Sequence, residues 1–232
     1  ALDRTKSCTA MTDTGPMTPI LSSHEMRAVL RSIYRDSGRL TRELVAWRDS
    51  ICPYESITRW VPPAAHVLDF GCGAGALLAL MSERHQIASG TGCDVSGHGI
   101  SAAKAAQRRL SRDVLEFRHI RDFEDIPDDK FDVVAMIDVL HHISPARQQE
   151  AIHAAARRVA PGGRFIYKDM TRHPFWRRWA NTTHDLLLAR QLVHYVAPDR
   201  VVRWALDDGM TLLHAEDYSR FVYGHQLLVF SR

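Results

Sequence analysis

Val67–Leu78 reads VLDFGCGAGALL. A β-prone run leads into Gly71, Gly73 and Gly75, and an apolar, helix-forming run follows. The order is strand, tight turn, helix. Glycine allows the sharp turn and lets a ligand approach with no Cβ in the way. The helix start beyond offers N–H groups that the helix itself cannot satisfy. Asp94 lies nineteen residues after Gly75, at the end of a second strand-like run, Ile87–Asp94. An acid there can accept both hydroxyls of a ribose. The loop alone leaves alternatives open. It can be a tight turn without a ligand. Gly71, Gly73 and Ala76 also satisfy the dinucleotide pattern G-x-G-x-x-[GA].

Outward from this loop the strand–helix alternation continues. Ser96 caps an Ala-rich helix over 97–110, and Leu115–Ile120 reads as a third strand. FDVVAMI, Phe131–Ile137, is a continuous apolar run, the mark of a central strand buried on both faces. Ser144–Pro145 predicts a capped helix running to Ala160, ended by Pro161-Gly162-Gly163, with Arg164–Lys168 as the fifth strand. Such alternation with short connections means βαβ units and a mostly parallel sheet. The runs 211–218 and 221–230 are too close for a helical crossover, so they pair antiparallel. Before the first strand, Ser22 and Glu25 form a capping-box pattern for a helix to Asp36, and 41–60 reads as helical with a break at Pro53.

The chain has 232 residues, of which 45% are apolar and 25% charged, with a net charge of +3. That suits one globular domain over 20–232, with helices at 20–62 and a helical cap at 171–208. Residues 1–19 lack periodicity and read as a flexible tail or added remnant, Met11 or Met17 being possible starts. No run of 18 apolar residues occurs, so no transmembrane helix is expected. The basic clusters are too short for a dedicated nucleic-acid binder. Cys8, Cys52, Cys72 and Cys93 have neither metal nor disulfide-scaffold spacing. With no secretory leader pattern, reduced thiols and a cytoplasmic location are expected.

VLDFGCGAG resembles motif I of class I S-adenosylmethionine-dependent methyltransferases. GCDVS (Gly92–Ser96) resembles their second motif, MIDVLHHI (Met136–Ile143) the segment after the fourth strand, and PGGRFIYKDM (Pro161–Met170) the fifth strand. The closing strand pair fits their reversed final hairpin. The resemblance implies a Rossmann-like α/β fold with a seven-stranded sheet. It implies S-adenosyl-L-methionine as cofactor and S-adenosyl-L-homocysteine as product. It places Asp69 near the methionine ammonium, the backbone of Gly71, Cys72 and Gly73 along methionine and ribose, and Gly75 in the same loop. Asp94 would hold the ribose and Val95 meet the adenine. Asp122 and Phe123 resemble the pair at the adenine amino group, and backbone at Ile137 or Asp138 would face the methionine end. A nicotinamide enzyme is the weaker reading: helices precede the motif, Asp69 offers a carboxylate to an ammonium, and the sheet closes antiparallel.

Methyl transfer needs a nucleophile aligned with the methyl group, and a base if the acceptor must lose a proton. His142, His141 and Asp169 fall at the carboxyl edge, where ligands bind in open α/β sheets. His142 is the preferred base, and the pair favours O-methylation. The segment after the fifth strand offers Trp176, Trp179, His184 and Tyr195 as acceptor contacts. Arg172, Arg177 and Arg178 suit an acidic group, on the acceptor or on an acidic carrier protein. YKDM with this Trp/Arg/His-rich stretch resembles methyltransferases of bacterial polyene and polyketide pathways, hence secondary metabolism. No metal is expected, because no helical His pair is backed by an acid. A nucleic-acid methyltransferase would want Asn/Asp-Pro-Pro-aromatic or a cysteine after the fourth strand. Asp138-Val139-Leu140-His141 is neither. A small-molecule acceptor is therefore expected.

Overall fold

The structure, a computed structural model, describes residues 22–52, 54–170, 194–220 and 223–232. Helix α1 (Ser23–Ile33) begins as its sequence predicts. Ser22 Oγ accepts from Glu25 N at 3.3 Å, and Glu25 Oε2 accepts from Ser22 N at 2.8 Å. The helical stretch after it is two helices, α2 (Arg39–Ile51) and α3 (Tyr54–Thr58).

The alternating part follows as β1 (Ala65–Phe70), α4 (Ala76–Glu83), β2 (Ile87–Asp94), α5 (Gly97–Gln107), β3 (Leu115–His119), β4 (Phe131–Ile137), α6 (Gln148–Ala156) and β5 (Val159–Met170). The described chain ends with α7 (Pro198–Asp207), β6 (Thr211–Arg220) and β7 (Tyr223–Ser231). The expected seven-stranded sheet is present, in the order β3-β2-β1-β4-β5-β7-β6. β1 to β5 run parallel, and β7 is antiparallel to both β5 and β6.

Strand alternation divides the core between the two faces. Val67, Val133 and Ala135 pack with Leu30, Ile57 and Leu78 from the N-terminal helices and α4. Leu68, Val134 and Met136 pack with Ile152, Val201 and Ala205 from α6 and α7. Each fully buried large aliphatic side chain contributes about 1.5–3 kcal/mol. The strand order reverses between β1 and β4, so the crevice of the fold opens at their carboxyl ends.

Two expectations are corrected. Ser144 does not cap a helix. Residues 144–147 form a turn in which Arg147 N donates to the Ser144 carbonyl at 2.9 Å, and α6 starts only at Gln148. Nor does Pro161-Gly162-Gly163 end that helix. α6 stops at Ala156, and the glycines already belong to β5. Neighbouring strands decide this: Phe131 N donates to Arg158 O at 2.8 Å, and Gly162 N to Arg232 O at 3.1 Å. The β4–β5 register shifts between Phe131 and Val133 to absorb the extra length. Of the helical cap expected over 171–208, residues 171–193 lie outside the described residues. Within the remainder, α7 carries Pro198 in its first turn.

Candidate active site

The glycine loop is held from three sides. Gly71 N and Cys72 N both donate to Cys93 O, at 2.8 and 3.1 Å, which ties the loop to the end of β2. Tyr34, buried at the end of α1, donates its hydroxyl to Ala74 O at 2.5 Å. Val139, after β4, presses on Gly71: a Cβ there would lie 2.4 Å from Val139 Cγ2. Gly71 also has φ +79°, so two independent constraints select glycine. Gly73 (φ +53°) faces open space. Gly75 precedes α4 and completes the turn through its N–H to Cys72 O at 2.8 Å. Cys72 is half-buried, and burial pushes its thiol pKa up, so it is a neutral wall.

Asp94 links loop and strand. Its Oδ2 accepts from Gly73 N and its Oδ1 from Ser96 N, both at 2.7 Å. Each carboxylate oxygen keeps a second acceptor site, the geometry a ribose diol requires. Val95 follows with its apolar side chain 68% exposed, unusual for valine beside a crevice. Asp69 is 3% exposed. Burial raises its pKa to about 7, opposed by the charge of Arg48 and assisted by that of Asp94. A cation placed against it would restore the charged form. These features fit an adenosyl ligand carrying an ammonium: an open glycine, a ribose acceptor, an apolar face and a buried acid.

Asp122 caps a short 3-10 turn, accepting from Phe123 N at 2.6 Å, and is gripped by Arg147. Those two contacts, Arg147 first, hold its carboxyl below the usual range. A cavity of about 630 Å³ lies beyond Phe123, lined also by Glu124, Arg157, Arg158 and Arg232. None of the glycine-loop residues, His141 or Asp169 lines it.

At the carboxyl ends of β4 and β5 the side chains form two clamps. Asp138 follows Ile137 with φ +56°, a strained value that Asp tolerates better than most residues. Its Oδ1 accepts from Lys168 Nζ at 2.6 Å, and Arg48 of α2 approaches Oδ2 at 3.7 Å. Burial works against the charges of both Asp138 and Lys168. The pairing outweighs it, lowering the carboxyl pKa and raising that of the amine. In the second clamp, Asp169 accepts from His141 N through Oδ2 at 3.2 Å and is hydrogen-bonded to His141 Nδ1 through Oδ1. Both residues are buried. Tyr167 adds a weaker bond to Asp169 Oδ2 at 3.4 Å. With Nδ1–H given to the carboxylate, His141 carries its basic lone pair on Nε2.

His142 is exposed on one side and lies against His141 on the other, ring centroids 3.9 Å apart. Desolvation of that side, then the His141 charge, lowers its pKa to about 4. A neutral but weakly basic ring is the poorer proton acceptor. The two histidines thus differ in partner: His141 has a buried carboxylate on Nδ1, and His142 packs against the His141 ring. Tyr195 is brought to the same place. His194 N donates to His141 O at 2.8 Å, Gln148 Nε2 donates to His194 O at 2.8 Å, and the Tyr195 ring stacks 6.5 Å from His141. Trp176, Trp179 and His184 lie outside the described residues. Tyr34, Arg48, Arg147 and Gln148 were not foreseen. Lys168 carried one signal, a cation directly after the apolar run Phe165–Tyr167. Among the described residues no group of acids, His and Cys is arranged to hold a metal.

A family model described as a methyltransferase domain matches residues 39–215. A ubiquinone biosynthesis O-methyltransferase of Alkalilimnicola ehrlichii is 30% identical over 155 residues, which cover 63% of this chain and 60% of that protein. One from Pseudomonas entomophila is 34% identical over 111 residues, 47% of this chain and 45% of that protein. The chain therefore spans three fifths or less of these two relatives. Among solved structures, magnesium protoporphyrin IX methyltransferase of Synechocystis with bound S-adenosylhomocysteine superposes with a TM-score of 0.65 at 20% identity, covering 91% of this chain and 95% of that one. An N-methyltransferase of Bradyrhizobium japonicum with the same ligand gives 0.60 at 19% identity, covering 87% and 98%. At these identities the superpositions show a shared fold.

Proposed function

Because the chain belongs to the methyltransferase-domain family, in its class I S-adenosylmethionine-dependent form, we propose that it methylates an oxygen of a small-molecule acceptor. The cofactor supplies a methyl group on a positively charged sulfur, which a nucleophile displaces directly. Asp69 holds the ammonium, Asp94 the ribose hydroxyls, and Val95, Asp122 and Phe123 the adenine. The backbone at Gly71, Cys72, Gly73, Ile137 and Asp138 lines the methionine end.

The observation that carries O-methylation is the His141–Asp169 pair. Asp169 fixes the imidazole with Nε2 as its base. An acceptor hydroxyl delivered there gives up its proton to Nε2 as its oxygen takes the methyl group. Asp169 stabilises the imidazolium that results. Tyr195, beside the pair, contributes an aromatic wall for the acceptor. The relatives named O-methyltransferases of ubiquinone biosynthesis support a hydroxyl-bearing small acceptor. The acidic-carrier expectation rests on Arg172, Arg177 and Arg178, outside the described residues, and the described ones add nothing to it. No helix among the described residues is long and apolar enough to cross a membrane.

Calorimetric titration with S-adenosylmethionine, S-adenosylhomocysteine and NADH tests the cofactor. Both adenosyl compounds should bind and NADH should not; binding of NADH alone overturns the reading. Transfer of labelled methyl to a panel of small phenols, alcohols and amines tests the acceptor. Labelling confined to amines would sink O-methylation.

A further inference from the structure

Arg147 touches both residues assigned to the adenine. It stands in the turn before α6, and four of its five guanidinium N–H groups are engaged. Nε donates to Glu150 Oε2 at 2.9 Å and Nη2 to Glu150 Oε1 at 3.1 Å, which anchors it to the first turn of α6. On its other side Nη2 donates to Asp122 Oδ1 at 2.6 Å and Nη1 to Asp122 Oδ2 at 3.2 Å. The same group lies over Phe123, with Cζ 4.4 Å from the ring centroid, while Phe70 leans on that ring at 5.8 Å. A planar, permanently charged fork is the only side chain able to grip one carboxylate, brace against a second and cover a ring at once.

The grip is not symmetric. Asp122 Oδ1 receives Phe123 N at 2.6 Å as well as Arg147 Nη2, and two donors fill its acceptor capacity. Oδ2 receives the longer Nη1 contact, and the Asp125 N–H reaches the same carboxylate to close the capping box. We propose that Arg147 is a positioning residue for the adenine. It orients the Asp122 carboxylate toward the exocyclic amine and fixes the ring plane of Phe123. The proposal rests on the adenosyl reading of the site. Its consequence is selectivity at position 6 of the purine. A carboxylate held ionised and acceptor-only welcomes an amine and repels a carbonyl oxygen.

The test uses S-adenosylhomocysteine and its 6-oxo analogue, S-inosylhomocysteine, titrated calorimetrically into full-length wild-type protein, Arg147→Ala and Arg147→Lys. Wild type should prefer the amino purine. Arg147→Ala should weaken the amino ligand by roughly fivefold, the scale of an exposed charge-assisted contact, and the oxo ligand by less than twofold. Arg147→Lys, which keeps the charge but loses the fork, should fall between. Arg147→Ala should have no further effect on that ratio in an Asp122→Asn background. The pair is about half exposed, so the melting temperature should hardly move. If both ligands weaken in equal proportion, Arg147 merely supports the fold and the proposal is overturned. An unchanged ratio overturns it equally. Wild-type protein that binds neither ligand brings down the adenosyl reading itself, and the proposal with it.

Discussion

Asp138 and Lys168 are joined twice. Lys168 Nζ lies 2.6 Å from Asp138 Oδ1, and Asp138 N donates to the Lys168 carbonyl at 2.8 Å. Side chain and backbone thus lock the end of β4 to the end of β5 at the turn with positive φ. The ammonium is fully buried and the carboxylate 12% exposed. Removing Lys168 leaves Asp138 in the interior with only the longer Arg48 contact. Lys168→Met should cost about 3–5 kcal/mol in urea unfolding. Lys168→Met with Asp138→Asn should recover much of that loss. Equal losses in the single and double variants would show that the ion pair is not the source. The depressed carboxyl pKa gives the acid response its sign. The stability from the pair is present above the usual carboxylate range and fades as falling pH protonates Asp138.

The buried clamp at Asp169 predicts a division of labour between adjacent histidines. His141→Gln should lower kcat toward a hydroxyl acceptor by about 10²–10⁴-fold, the range of a positioned general base. Asp169→Asn should approach that loss, because an amide no longer enforces the productive tautomer. Neither change should move cofactor affinity more than a few-fold. His142→Ala should retain most turnover. A loss with His142→Ala as large as with His141→Gln would return the base role to His142.

Asp69 makes cofactor affinity depend on pH. In the ligand-free protein its pKa, raised to about 7 by burial, leaves the carboxyl protonated and uncharged below that value. An ammonium then finds no counter-charge. Affinity for S-adenosylhomocysteine should weaken toward tenfold per pH unit as pH falls below 7, and binding there should release a proton. Calorimetry in buffers of different ionisation heat reads that release directly. Asp69→Asn should bind weakly and lose the slope between pH 5.5 and 7. Folding has the opposite sign: the free protein gives up stability as pH rises from about 4, the ordinary carboxylate value, to about 7. A pH-independent affinity in wild type would exclude this role.

Gly71 and Val139 form a tight backbone approach. Gly71→Ala introduces a Cβ 2.4 Å from Val139 Cγ2 at a φ of +79°. Overpacking and a left-handed conformation together should cost about 2–4 kcal/mol in chemical denaturation. Val139→Ala in the same chain removes the two methyl contacts, leaving a Cβ 3.2 Å away and the φ penalty, so it should restore up to about half. No restoration would mean that the dihedral alone forbids a side chain there.

Much of this was legible because it is local. The strand–glycine–helix order at 67–78, the apolar run of β4 and the capping box at Ser22 are written in adjacent residues, and all three are found. The stretch from Ser144 to Gly163 misled for the opposite reason. Its caps and breakers are genuine local signals, overridden by hydrogen bonds from β4 and from Arg232. The site shows the same divide. Glycines and acids lie in recognisable order, but Tyr34 reaches Ala74 across forty residues and Lys168 reaches Asp138 across thirty. Arg147 grips Asp122 from twenty-five residues away. No periodicity encodes such pairings, because they arise only when the sheet brings strand ends side by side. The two adjacent histidines look alike in sequence, and only packing gives one of them, His141, a carboxylate partner.

The last strand, β7, occupies an interior lane of the sheet, between β5 and β6. β6, earlier in the chain, therefore has no strand of the parallel sheet beside it except through β7. β6 joins the sheet only through Tyr223–Ser231, which closes the ladder on both sides. Losing that strand would therefore not trim a margin. It would cut the sheet in two and strip β5, which carries Lys168 and Asp169, of the partner that flanks it opposite β4. Support of the site thus depends on a segment that contributes no residue to the proposed chemistry.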